Sequence, residues 1–228
     1  MSNQARAVVE LLAALEDALL RHGRSEAVNT LLMKMRALRA AQPQVQPLSP
    51  HMPDHLCIDF RGIYDHLPSS LFTVSSALKE AEPHLHWKAD DASGAGYYQR
   101  GEDIGESYAQ GNMCCPLIGP TGSFIESEDL LFVLFFLKPK TLYRDHCHKA
   151  SEVYFNLTGP AGFRLDDRDW SDRPGDSVIW NRSWSVHATR VYQMPFLAAV
   201  AWIADIDSTI QVTARDDWHV LETELQQY

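Results

Sequence analysis

Apolar residues recur at Val8, Leu11, Leu12, Leu15 and Leu19, the i, i+3, i+4, i+7 spacing of one helix face, and Leu31, Leu32, Met35 and Leu38 repeat it. Two amphipathic helices are therefore predicted between residues 3 and 41. They part at His22-Gly23-Arg24-Ser25, where Gly suits a C-terminal cap and Ser an N-cap. Pro43, Pro47, Pro50 and Pro53 remove backbone donors from the next stretch, which is read as a linker or a wrapped irregular segment. A short helix is predicted from Ser69 to Ala81, stopped before Pro83. From about Gly94 the texture changes to short runs of β-branched and aromatic residues between Gly, Pro, Asn and Asp, which is the pattern of strands and turns. The predicted strands are Cys114 to Ile118, Leu130 to Leu137, Glu152 to Leu157, Gly162 to Leu165, Ser177 to Trp180, His187 to Tyr192, Leu197 to Ile203 and Thr209 to Thr213. Strands so close together, with no helices between them, favour an antiparallel sandwich or barrel over βαβ units. The expected architecture is mainly β with N-terminal α: a helical cap and linker over 1–83 and a β-barrel over 84–228.

Composition narrows the function classes. The 228 residues are 45% hydrophobic and 22% charged, as in ordinary folded proteins, and the net charge is −10. Such a surface repels phosphate backbones and anionic lipid, so neither nucleic acid nor membrane is expected as a partner. The longest apolar run, Leu130 to Leu137, is far short of the ~20 residues that span a bilayer. Glu10, Glu16 and Asp17 interrupt the first apolar stretch, which does not resemble a secretory signal. Cys57, Cys114, Cys115 and Cys147 form no CxxC pair, and a reducing, cytoplasmic setting is expected.

The chemistry concentrates in Tyr143-Arg144-Asp145-His146-Cys147-His148-Lys149-Ala150-Ser151-Glu152-Val153-Tyr154. In extended backbone, alternate side chains share a face, so His146 and His148 point together while Cys147 points away. Glu152, Tyr154 and Asn156 likewise share one face of the next strand, and Val153, Phe155 and Leu157 take the other. The apolar set calls for a packed layer, so Glu152 and Tyr154 look into something that tolerates polarity. Two imidazoles and a carboxylate converging in a small barrel form a transition-metal shell, and His187 can supply a fourth ligand. The other histidines are read as surface or hydrogen-bonded residues. His84-Leu85-His86 is read as closing the pocket or pairing at an edge, Cys114-Cys115 as buried sulfur, and Gly94-Ala95-Gly96 as a flexible connection.

These residues resemble the first motif of the cupin superfamily, in which H-x-H is followed after three or four residues by Glu and, after six more residues, by Gly. His146, His148, Glu152 and Gly159 match it. Pro174-Gly175-Asp176 and His187 match the second motif, without the usual Asn after the last His. Lys140 stands where a Gly commonly precedes the first motif. A narrower resemblance is to the cupin-type dimethylsulfoniopropionate (DMSP) lyases, carried by Tyr143, His146, His148, Glu152, Tyr154, Trp180-Asn181 and His187-Ala188-Thr189-Arg190, together with the helical N-terminal part. That resemblance implies a cupin barrel, also called a double-stranded β-helix or jelly roll. It implies release of dimethyl sulfide and acrylate, a metal held by His148, Glu152 and His187, Tyr154 as base, and Tyr143 and His146 in the substrate pocket. Whether His146 binds the metal itself is left open by the spacing.

The implied reaction makes chemical sense of these residue types. Removing a proton next to a carboxylate adds charge to an anion, which one divalent cation (Fe, Mn, Zn, Co or Ni) can offset. A Tyr beside that cation can serve as an anionic base. A leaving sulfonium is cradled by aromatic faces, for which Trp180, Trp184, Tyr143 and Tyr192 are the candidates. The expected partner is thus a small sulfonium carboxylate, and exposed barrel edges would allow a homodimer. The rival expectations are a cupin dioxygenase or isomerase, told apart by oxygen consumption or isomer formation, and a non-catalytic ligand-binding cupin.

Overall fold

The computed structural model describes residues 1–228 apart from Asp91, Gly94 and Ala95, so most of the Gly94-Ala95-Gly96 connection lies outside the described residues. The chain opens with α1 (Asn3–Leu20) and α2 (Glu26–Ala40). The Ser2 hydroxyl caps α1 by accepting from the Ala5 amide at 3.1 Å. The proline-rich stretch runs without regular structure over the barrel, where the Gln46 amide donates to the Phe124 carbonyl. Two further helices complete the cap, α3 (Cys57–Arg61) and α4 (Phe72–Ala81). The helical turns around α3 are not among the predicted elements, although Leu56, Phe60 and Ile63 form a buried stripe at helical spacing. Flanking prolines and a polar surround mask it.

A single-turn α5 (Glu106–Ala109) precedes β1 (Asn112–Gly119), β2 (Ile125–Glu126), β3 (Leu131–Leu137) and β4 (Leu142–Cys147). There follow β5 (Ser151–Asn156), β6 (Ala161–Leu165), β7 (Ser171–Arg173), β8 (Ser177–Asn181) and β9 (His187–Arg190). The chain ends with β10 (Phe196–Ala204), β11 (Gln211–Val212) and α6 (Trp218–Gln226). One sheet has the order β2-β1-β3-β10-β5-β8 and the other β11-β4-β9-β6-β7. All pairings are antiparallel except β1 with β2.

The six-stranded sheet is covered on both faces, which explains why β3 reads Leu-Phe-Val-Leu-Phe-Phe-Leu without polar alternation. Phe132, Leu134 and Phe136 meet Leu11, Leu15, Leu31 and Val28 of the cap in one apolar core. Leu131, Val133, Phe135 and Leu137 face the barrel interior instead. On the far side α6, absent from the predicted elements, lays Trp218, Leu221 and Leu225 against Leu142. Gly159 shows why its motif requires glycine: a Cβ there would lie 2.7 to 2.9 Å from backbone atoms of Arg173, Pro174 and Gly175. Lys140, at the position where Gly is common, holds φ +63°. Its amide donates to the Tyr192 carbonyl and its ammonium to the Gln226 carbonyl.

Candidate active site

Strands β4, β5, β9 and β10 bring the chemistry together inside the barrel. Between Tyr143 and His146, β4 carries one more residue than β9, where the matching positions are Thr189 and His187. This bulge turns Arg144 and Asp145 outward together and lets Tyr143 and His146 share the interior, their rings stacked at 4.1 Å. Outside, Arg144 lies over the Trp218 ring and pairs with Glu222, while fully buried Asp145 accepts from Arg164 Nε at 3.0 Å and Trp218 Nε1 at 2.9 Å. The bulge is thereby anchored from behind by α6.

His146, His148 and His187 offer one nitrogen each, all within 4.8 Å of one another, and all three are buried. Each Nδ1 donates to a backbone carbonyl: His146 to Arg144 at 2.7 Å, His148 to Ala150 at 3.0 Å and His187 to Ser185 at 2.9 Å. A carbonyl can only accept, so the proton is on Nδ1 and the Nε2 lone pair is free for a cation. The Nε2 atoms of His148 and His187 are buried without a hydrogen-bond partner. Glu152 Oε2 stands 3.5 Å from His148 Nε2 and 3.2 Å from His187 Nε2. Asn181 Nδ2 donates to the same oxygen and Trp202 Nε1 to Oε1, both at 2.8 Å, which fixes the carboxylate's orientation. Burial works to raise the Glu152 pKa, but His148 and His187 beside it hold it well below the carboxylate range. Burial, then the neighbouring His187, keeps His146 neutral by pushing its pKa well below the ordinary imidazole value. Orphaned imidazole nitrogens aimed at an oriented carboxylate fit a transition metal, for which mixed nitrogen and oxygen donors are suited.

Beside this group is a narrow cavity of about 40 Å³, walled by Tyr143, Tyr154, Tyr108, Trp202, Glu152 and Asp90. Tyr154 is fully inside, edge-on to Phe135 and Phe163. Burial and then the Glu152 charge push its hydroxyl pKa well above the usual phenol value. Tyr143 is sandwiched between His146 and Tyr108, the latter ring 4.3 Å away and nearly parallel.

Three aromatic expectations are corrected. Trp180 pairs with Val153 on β5, so it takes the cap-facing side of β8, donates to Ser151 Oγ and lies under Arg182. Ile179 and Asn181 are the residues of β8 that pair with Tyr154 and Glu152. Trp184 is 51% exposed in the β8–β9 loop, where its amide donates to the His148 carbonyl. Tyr192 packs near α6 and donates to Asp172. Trp202 is the tryptophan that lines the cavity: it pairs with Glu152 in register and its ring lies 4.7 Å from that of His148. Its parity with Phe196, Ala198 and Val200 is readable in the sequence, but which parity faces inward is not. Tyr97, Tyr98, Tyr108 and Asp90 are also missing from the sequence-based candidates, because they sit in or beside irregular segments where periodicity carries no signal. His86 bridges to His51 at an edge, one of its two expected roles.

A two-sheet cupin-type barrel capped by helices holds three histidines and a carboxylate in its lumen, a donor set that fits a transition metal. The family model for dimethylsulfoniopropionate lyases matches residues 28–198, a span that holds every residue of the histidine site, and the chain belongs to that family. It is 28% identical over 199 residues to the dimethylsulfoniopropionate lyase DddQ of Ruegeria pomeroyi, covering 82% of this chain and 94% of that one. The crystal structure of DddQ from Ruegeria pomeroyi shares the fold with a TM-score of 0.68, at 24% identity over 91% of this chain and 96% of that one. A chain from the crystal structures of the DMSP lyases RdDddP and RnDddQII superposes with a TM-score of 0.66, at 19% identity over 93% and 100% of the two chains. No helix among the described residues is long and apolar enough to cross a membrane.

Proposed function

We propose that this protein is a metal-dependent carbon–sulfur lyase that cleaves dimethylsulfoniopropionate to dimethyl sulfide and acrylate. The observation that carries the reading is the convergence of His146, His148 and His187 on Glu152 within the span matched by the family. His148, Glu152 and His187 would hold one divalent cation, drawn from Fe, Mn, Zn, Co and Ni, and His146 is near enough to join them. When bound, the cation supplies Lewis-acid neutralisation of the substrate carboxylate. Tyr154, as the phenolate, would accept the proton from the carbon next to that carboxylate. The C–H electron pair becomes the new C=C bond and the C–S pair leaves with sulfur, giving neutral dimethyl sulfide and acrylate. Tyr143 and Trp202 wall the pocket and exclude water from the base. Burial and the Glu152 charge raise the Tyr154 hydroxyl pKa, and a cation bound at the neighbouring site would favour its phenolate form. A reducing, cytoplasmic setting and a homodimer complete the reading. Headspace measurement of dimethyl sulfide after metal-loaded protein meets dimethylsulfoniopropionate tests it; release is expected, and its absence with every candidate metal overturns it.

A further inference from the structure

Asp90 is 5% exposed and lines the barrel cavity together with Glu152, Tyr97, Tyr108 and Trp202. It also lines an outer cleft with Lys88, Gly96 and Thr121, so that Asp90, Tyr97, Cys114 and Leu131 form the neck between the two spaces. Its backbone is clamped independently of its carboxylate. The Asp90 amide donates to Asn112 Oδ1 at 2.9 Å, and Asn112 Nδ2 donates to the Asp90 and Tyr108 carbonyls at 2.8 Å. Among the described residues, the carboxylate accepts from the neutral amides of Ala92 at 3.1 Å and Tyr97 at 2.8 Å. Among the described residues, no lysine, arginine or histidine forms an ion pair with it. After burial, its charge is a further cause of the raised pKa of Tyr97, Tyr98, Tyr108 and Cys114, so its field reaches the interior. A buried carboxylate without a cationic partner is costly, and a cation brought by a ligand removes that cost.

We propose that Asp90 is the counter-charge for the cationic end of the substrate: a sulfonium carboxylate enters past Asp90 and lies with its carboxylate toward the histidines and its dimethylsulfonio group at Asp90, between Tyr97, Tyr108 and Trp202. The substrate assignment rests on the lyase reading; the onium site rests on the cavity. Asp90 at the neck and a cation held at the histidine site would together orient a zwitterion before any chemistry. As the C–S bond breaks, the electron pair neutralises sulfur, so the attraction to Asp90 fades along the reaction. Asp90 therefore stabilises bound substrate more than the transition state, and its removal acts on KM more than on kcat.

The test compares metal-loaded wild type with Asp90→Asn, and with Asp90→Ser as a second variant, each checked for metal content and circular dichroism. KM for dimethylsulfoniopropionate should rise about 10- to 100-fold, with kcat changing less than about threefold. Calorimetry should show trimethylsulfonium weakened by a similar factor, while 3-(methylthio)propionate, an anion whose sulfur is uncharged, is not weakened by either substitution. Equal weakening of both probes would show that Asp90 only shapes the pocket, and unchanged binding of trimethylsulfonium would also overturn the proposal. If wild type releases no dimethyl sulfide yet binds trimethylsulfonium through Asp90, the onium site stands and the lyase reading falls. Dimethyl sulfide release that is indifferent to Asp90 overturns the onium site and leaves the lyase reading standing.

Discussion

The two faces of the six-stranded sheet are built from the same strands and do different work. On β5, Val153 and Phe155 point into the cap core while Glu152 and Tyr154 point into the lumen. On β10, Leu197, Ala199 and Ala201 face the cap, and Ala198, Val200 and Trp202 face the cavity. Toward the cap, Phe60 stacks edge-on with Trp87 and Phe136 at centroid distances of 5.0 and 5.5 Å, in an apolar layer. Toward the lumen, buried imidazole nitrogens lack partners and a carboxylate is held in place among them. Burying such groups opposes folding, so the cap face must supply the stability that the lumen face gives up. The period of two along a strand lets one segment carry both functions without mixing them.

If that division holds, substitutions on the two faces should separate cleanly. The largest effect is expected from His148→Ala and His187→Ala, which should each lose most bound metal, and with it dimethyl sulfide release, while the barrel still folds. Elemental analysis of the purified variants checks this, and full metal occupancy would remove the residue from the ligand set. Next comes Tyr154→Phe, which keeps the ring packed against Phe135 and Phe163 but removes the proton acceptor. It should lower kcat by about 10² to 10⁴ with metal content and melting behaviour unchanged. Near-native turnover would make Tyr143 the next base to test.

From the other face of the same strand, Phe155→Ala should cost about 3–5 kcal/mol in urea unfolding, with metal stoichiometry of the folded fraction unchanged. A large loss of metal affinity instead would mean that the two faces are not independent.

The smallest effect concerns the fastening of cap to barrel at Asp176, whose Oδ1 lies 2.9 Å from His22 Nε2 and whose Oδ2 lies 3.2 Å from Arg21. Burial works to raise the Asp176 pKa, but hydrogen bonds from Ser70 and His22 and the Arg21 charge hold it below the carboxylate range. A depressed folded pKa means that its contribution is present above the unfolded value and disappears as pH falls through the folded one. Asp176→Asn should therefore cost at most about 1 kcal/mol at neutral pH, and the difference from wild type should vanish in strong acid. Urea titrations at the two pH values measure it.

Much of this architecture is legible in the sequence because it depends on local periodicity. The spacing of Val8, Leu11, Leu15 and Leu19 predicts α1, and the helix runs from five residues before that pattern to one residue after it. The apolar run from Leu130 predicts β3, and the alternation in Glu152-Val153-Tyr154-Phe155 separates lumen from cap before any neighbour is known. The faint stripe of Trp218, Leu221 and Leu225 in α6 is equally present but is lost among polar residues. Face-sharing spacing already groups His146, His148 and Glu152, with His187 as a candidate fourth ligand from a distant strand, and the family resemblance matches the same set.

What only the tertiary structure decided is register and the faces that depend on it. Strict alternation places Tyr143 and His146 on opposite sides of β4; the extra residue opposite β9 puts them together, anchored through Asp145 and Arg164 beneath α6. Trp180 and Trp202 are chemically alike on paper, yet pairing with Val153 sends one to the cap and pairing with Glu152 sends the other to the cavity. Asp90 carries no periodic signal at all, and its place at the neck of the cavity comes from Asn112 across the barrel wall. Sequence by itself determined which segments coil or extend and which residue types could bind a cation, because those follow from side-chain period and donor chemistry. The facing of a bulged strand, a tryptophan or a loop carboxylate is set by long-range pairing, which only the folded chain supplies.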